Sequence, residues 1–426
     1  MNKSNITVVK IVLATVFFSI FLFFSGCSKQ TSPDRIVIWT DNAEFAQYTE
    51  LFNKTHSKDK AIVVYKSNPA LSLPPAKDEL PPDIIVGSWL RTDSTPKYFR
   101  SLDYIFDHQI LTSKMFYPEL FESGKSKQVQ YLLPVSFNLP VIIFSKENKN
   151  FVDTNYSMSL EQLRKISAEY NQKNKKGNYT RIGFSPYSNS DFLYLVTKLN
   201  DVDFHGYKNT IVWDNEALLK TVADLQDWIN TDNTSCQTEE DFAFKYLFMP
   251  YYRQVTSGRT LFSYTTSDQL FKVMNEQIFN IDYRWIYEKS KIPIEDSYKM
   301  MGIYKNASNI VGASEFITWF FQPENQKLIL ERKESLNLQV DNFGIAGGFS
   351  AIREVTEHYL PVYYKPLLEN LPPSTMIEVS QKLPARWESY RNNVVVEYLR
   401  TAISSPEQSP SITELEKDWR RKMSFN

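Results

Sequence analysis

Glycine is scarce in this chain, with 12 in 426 residues, and the loops that cradle phosphates or dinucleotides are built from closely spaced glycines. The one glycine-rich patch, Gly344-Ile-Ala-Gly-Gly-Phe349, lacks the G-x-G-x-x-G spacing and follows no predicted strand. Gly124-Lys125-Ser126 ends like a phosphate loop, but Glu119 stands where the leading glycine belongs, so it reads as a hairpin turn. Histidine is scarcer still. His56, His108, His205 and His358 are scattered, and none sits in an H-E-x-x-H zinc motif. There is no G-x-S-x-G nucleophile elbow. Two cysteines, Cys27 and Cys236, cannot build a disulfide framework. A formal net charge of −1 provides no basic face for nucleic acid. From these absences we expect no cofactor, no metal site and no nucleic-acid partner.

Aromatic residues, by contrast, are plentiful at 15% of the chain, and the length exceeds one comfortable core, so two domains are expected. Residues 1–26 read as a secretory signal: Lys3 and Lys10 precede the apolar run Ile11–Phe24, which is short for a membrane span. Ser25-Gly26-Cys27 resembles the lipobox of bacterial lipoproteins, with Phe24 where leucine is usual. That resemblance implies acylation of Cys27, residues 27–34 as a lipid-anchored tether, and Cys236 left without a partner. Cleavage by an ordinary signal peptidase, or retention as an anchor, is the alternative.

Further along, Arg35–Trp39, Ala61–Tyr65 and Asp83–Val86 have strand composition. A helix lies between the first two, with Phe45, Tyr48, Leu51 and Phe52 on one face, and a loop with five prolines (69–82) precedes the third. This is the grammar of a parallel α/β lobe, in which ligands gather beyond the carboxyl ends of the strands. Trp39, Asp41 and Trp89 sit there. The apolar runs Tyr131–Val135 and Pro140–Phe144 flank Ser136-Phe137-Asn138, which reads as a crossover hinge between lobes. Ser159-Leu-Glu-Gln162 is a capping-box match, and Asn215–Asn230 is a clear amphipathic helix. Asn309–Phe321 and Glu324–Glu334 are two helices split at Pro323, and Trp387–Ala402 and Ser411–Met423 close the chain.

The order of these features resembles the extracellular solute-binding proteins of bacterial ABC importers, in the broad family of maltose- and glycerol-phosphate-binding proteins. The residues that carry it are Ile36–Trp39 and its helix, Pro82-Asp-Ile-Ile, Gly124-Lys125 through Pro134, Ser257-Gly-Arg-Thr-Leu-Phe and Ala313–Gln326. The resemblance implies a two-lobe, type II periplasmic-binding-protein-like α/β fold, each lobe a mostly parallel sheet flanked by helices, joined by crossover segments. The implied division is residues 35–136 with 266–312 as one lobe and 137–265 with 313–426 as the other. Matching the family's patterns position by position implies ligand contacts at Trp89, Ser136, Asn138, Tyr187, Gly347, Trp387 and Arg391.

Sugar rings have an apolar face and a hydroxyl rim, so flat aromatics bordered by polar side chains suit them. On that chemistry Trp39, Trp89, Tyr187 and Trp387 are candidates for stacking, and Asp41, Ser136, Asn138 and Asn189 for hydrogen bonding. Trp213, Trp228, Trp319 and Trp419 read as core. Arg253, Arg386 and Arg391 keep a sugar phosphate open as ligand. The expected function is a monomeric, non-enzymatic receptor, anchored by lipid and facing the periplasm or cell exterior, that delivers a carbohydrate to an ABC permease. The alternatives are a carbohydrate-acting enzyme, for which Asp41 and Asp191 are the candidate carboxylates, and a surface adhesin or sensor on the same fold.

Overall fold

The computed structural model describes residues 34–107, 109–152, 155–207, 210–275, 280–338, 342–368 and 370–423. The expected signal segment, Cys27 and all of the tether before Asp34 lie outside the described residues. The elements that position the site are, in chain order, β1 (Asp34–Thr40), α1 (Phe45–Thr55), β2 (Asp59–Tyr65), β3 (Ile84–Gly87), β4 (Leu133–Phe137), β5 (Pro140–Ser145) and β6 (Ser157–Met158). Then come α2 (Leu160–Tyr170), α3 (Ser190–Leu199), α4 (Asn215–Asp232), β7 (Phe262–Thr266), β8 (Ile281–Ile286), β9 (Ile292–Pro293) and β10 (Lys299–Ile303). The last are α5 (Ile310–Phe320), α6 (Pro323–Ser335), β11 (Phe349–Ser350), β12 (Ile377–Glu378) and α7 (Ile412–Met423).

Local chemistry accounts for the helix starts. Ser159 Oγ accepts from Gln162 N (3.2 Å) while Gln162 Oε1 accepts from Ser159 N (3.0 Å), which is the reciprocal capping box. Asn309 caps α5 by accepting from Gly312 N (2.9 Å), and Pro323 sits in the first turn of α6, where its missing donor is harmless. The late helix expected over 387–402 contains a π turn at Arg391–Val395 between Trp387–Tyr390 and Val396–Ser404.

Two sheets organise the molecule, one ordered β11-β4-β10-β3-β1-β2 and the other β7-β5-β8-β6. Within these two sheets parallel pairing is confined to β2–β1–β3 and to β6–β8, and every other pair is antiparallel. The sheets are therefore mixed, where mostly parallel ones were expected. β4 runs toward the second sheet with β3, whereas β10 returns from it and so enters its own sheet in the opposite sense.

Each sheet nucleates its own core. Ile36, Ile38, Ile84 and Ile85 belong to one, and Phe192, Leu225, Trp228 and Phe262 to the other. Strand alternation divides β5 between them: Val141 and Ile143 face the first, Ile142 and Phe144 the second. α5 and α6 pack on the first, with Phe320 stacked on Phe45 (5.5 Å) and a buried ion pair between Lys333 and Glu44 (2.8 Å). β11 extends the first sheet. Residues 313–352 thus pack with the first lobe, as do Val355, Leu360, Tyr364 and Leu367, where the second was expected, and β8, expected in the first lobe, is a strand of the second sheet. An apolar helix stripe says that a helix is covered, not which lobe covers it.

The Pro-Asp motif has a structural explanation. Asp83 is fully buried, and its carboxylate accepts from Val37 N (2.8 Å), Ser308 N (2.7 Å), Ser308 Oγ (3.0 Å) and Asn309 N (2.8 Å). It ties β1 to the start of α5. Asp83→Ala strands these donors and is expected to lower the unfolding free energy by about 3 kcal/mol, read from urea denaturation. Asp83→Asn, which keeps an acceptor oxygen, should lose less.

Candidate ligand-binding cleft

Three passages of chain between the sheets meet at Asn138. Its Oδ1 accepts from Ser267 Oγ (2.6 Å), its Nδ2 donates to Gly347 O (2.9 Å), and its backbone O accepts from Glu295 N (2.9 Å). Leu139 N donates to Ser267 Oγ (3.1 Å), and Ser267 N to Leu139 O (3.0 Å). Ser136 is buried and donates to Ala346 O (3.4 Å). The expected crossover is present, but Asn138 is occupied there with Gly347 and Ser267, and Ser136 with Ala346.

Beside this node a cluster of polar groups gathers around Asp296. Asp296 accepts from Lys198 Nζ (2.7 Å), Tyr194 OH (2.5 Å), Ser380 Oγ (2.8 Å) and Trp387 Nε1 (3.1 Å). Burial works against its ionised form, yet Lys198 and the hydroxyls outweigh burial and hold the carboxyl below its ordinary value. The neighbouring Glu295, which accepts from Tyr264 OH (3.2 Å), goes the other way, raised chiefly by burial. Trp387 is fully buried and stacked on Tyr390 (5.5 Å). It is a cornerstone of the second core, not a free platform for a ring.

A cavity of about 420 Å³ does open between the lobes. The first lobe contributes Trp89 and Tyr98, and the second contributes Tyr207, Trp419 and the stretch from Lys382 to Arg386. Trp89 lies in the left-handed region (φ 64°), which for a bulky side chain costs about 1–2 kcal/mol. The loop that holds it there is stitched down on both sides. Ser88 Oγ donates to Ser297 O (2.6 Å), and Arg91 Nη1 donates to Tyr298 OH (2.7 Å) and Ser380 O (2.8 Å). On the facing wall Gly206 N donates to Lys382 O (2.8 Å), joining the Tyr207 hairpin to the 382–386 stretch. Trp419 is steadied by Nε1 donating to Ser389 Oγ (3.0 Å) and by an edge contact with Tyr390 (5.3 Å).

Of the ten residues the sequence proposed for ligand contact, Trp89 alone lines this cavity. Trp39 is fully buried beneath Lys66, with its indole N–H on Leu80 O (3.1 Å). Asp41 pairs with Lys299 (2.9 Å), and Arg391 with Asp191 (3.2 Å) over the ring of Tyr194. Asn189 caps α3 by accepting from Phe192 N (3.0 Å). The ring of Tyr187 is buried under Arg400. Sequence reasoning missed Tyr98, Tyr207, Lys382 and Trp419. Trp419 has the spacing of an amphipathic helix and so reads as core; the cations just before Trp387 were the one available signal for the 382–386 wall. Among the described residues, no group of three His, Cys, Asp or Glu could hold a metal ion, and no helix is long and apolar enough to cross a membrane.

Neither a protein-family model nor a curated protein sequence matches the chain. Solved structures do. The sugar-binding protein MalE from Xanthomonas citri superposes with a TM-score of 0.68 at 11% identity, over 91% of this chain and 96% of that one. The cyclic α-maltosyl-1,6-maltose-binding protein from Arthrobacter globiformis gives 0.60 at 13%, over 92% and 98%. An ABC substrate-binding protein from Listeria monocytogenes in complex with cycloalternan gives 0.60 at 14%, over 93% and 100%. The shared architecture covers nearly the whole of each chain, and the fold is the two-lobe, type II periplasmic-binding-protein fold.

The support beneath Tyr187 supplies a pH test. Glu239 is fully buried and accepts from Tyr187 N (2.8 Å) and Asn233 Nδ2 (2.7 Å). Burial nonetheless raises its carboxyl to about 8 from an ordinary 4.5. A raised carboxyl favours folding while it is protonated, so its contribution is complete below about 4.5 and is lost as pH climbs through about 8. The urea midpoint is expected to fall across that window, and Glu239→Gln should flatten the fall.

Proposed function

We propose that this protein is a substrate-binding subunit of an ABC importer that captures a carbohydrate between its lobes. The observation that carries this reading is the cavity walled by aromatic rings from both lobes, Trp89 and Tyr98 facing Tyr207 and Trp419, on a fold shared with solved sugar-binding proteins. Flat apolar rings on opposite walls suit the faces of a saccharide, and polar groups at the rim suit its hydroxyls. Opening and closing about the Asn138 node admits the ligand, and the closed form makes the extra contacts that binding selects. The reading includes export of the chain, acylation at Cys27, and delivery of the sugar to membrane-spanning permease subunits by a monomeric, non-enzymatic receptor. An enzymatic role for Asp41 and Asp191 is disfavoured because each carboxylate is already paired with a cation, Lys299 and Arg391.

Titration with an oligosaccharide panel should change tryptophan fluorescence for one sugar class and raise the melting temperature, with no product formed over time. Trp89→Ala is expected to weaken that binding by about tenfold. Turnover of the sugar would favour an enzyme, and silence across the panel would favour an adhesin or sensor. For the anchor, Cys27→Ala should move the exported protein from the membrane to the soluble fraction.

A further inference from the structure

The cavity wall has a charge bias that stacking alone leaves unexplained. Three cations line it, Lys382, Arg386 and Arg420, against one carboxylate, Asp93. Arg420 is committed to Glu416 (2.6 Å). The other two are not committed. Among the described residues Lys382 meets no carboxylate at ion-pair distance, and its hydrogen bond to Ser126 Oγ is long (3.5 Å). Arg386 donates to the thioether of Met423 (3.4 Å), a weak acceptor. Behind the wall, Arg91 keeps a buried Nε with no hydrogen-bond partner.

Arg386 is exposed, but Lys382 is partly buried, and leaving a partly desolvated cation unpaired is unfavourable unless something else supplies the counter-charge. Lys382 registers the strain. Burial lowers its amine below the ordinary value, with Asp93 opposing and Arg91 adding to the effect. The bias is also local. A second cavity, to which Glu378–Gln381 contribute, carries both signs: Asp201, Asp203, Asp214 and Glu378 beside Lys198, Lys291 and His205.

We propose that the ligand of this cleft is an anionic saccharide, whose rings lie against Trp89 and Trp419 and whose negative group is met by Lys382 and Arg386. The proposal rests on the receptor reading and narrows it. A uronate carboxylate and a phosphate or sulfate ester share the chemistry required, and binding experiments separate them.

The test is calorimetric titration of the full exported chain with uronate-containing, phosphorylated and sulfated oligosaccharides, each beside its neutral parent, at low and high salt. The anionic member of one pair is expected to bind at least about tenfold tighter than its parent at low salt, with the ratio shrinking as salt is added. In Lys382→Met/Arg386→Met, checked for folding by circular dichroism, the ratio should approach one; Lys382→Arg should retain it. The type of pair that shows the preference identifies the anion. Parents that bind as tightly as their anionic partners, or a ratio unmoved in the double variant, overturn the anionic assignment while leaving a sugar receptor in place. Absence of binding by every member of the panel, with the melting temperature unchanged, overturns both.

Discussion

The relation between the two lobes depends on one amide side chain. Asn138 uses its oxygen for Ser267, its nitrogen for Gly347 and its backbone carbonyl for Glu295, so strands that belong to different sheets cross at a common, fully hydrogen-bonded point. The amide is partly buried, and its partners come from three distant parts of the chain. A motion that keeps these bonds must turn about the node. One that breaks them exposes several unsatisfied groups at once.

Around that point the interior is divided by chemistry. On one side the Asp296 cluster gathers a carboxylate, an ammonium, hydroxyls and an indole N–H that satisfy one another. On the other side a cavity stays open, walled by aromatic rings from both lobes and by Lys382, Arg386 and Arg420. The protein has therefore spent Trp387 and Tyr194 on holding itself together and kept Trp89 and Trp419 at the cavity. Trp89 is the telling case: a bulky residue in the left-handed region persists only where surrounding bonds over-determine it, and Ser88 and Arg91 supply those bonds.

Much of the fold was legible beforehand, for physical reasons. β1 from Ile36 to Thr40 and the whole of β3 are buried and show as largely apolar runs. The capping box at Ser159 and the proline at the start of α6 act over three or four residues, so a reader of the chain sees cause and effect together. The site was much less legible. Trp39 and Trp387 have the composition of stacking platforms, yet each indole N–H finds a partner far away in sequence, Leu80 in one case and Asp296 in the other. Trp419 has the spacing of a core residue and lines the cavity. Aromatic residues serve packing and recognition equally well, so residue type alone could not separate them.

By itself, the chain determined what depends on neighbours within a few residues: which segments become strands or helices, where helices begin, where the crossover lies, and that phosphate loops and zinc motifs are missing. Tertiary structure decided which lobe receives 313–352, which tryptophans are consumed by the core, and that Lys382 and Arg386 come to face rings from the other lobe. Those outcomes depend on pairings between residues far apart in the chain, and a long-range hydrogen bond or ion pair has no sequence signature until both of its ends are in place.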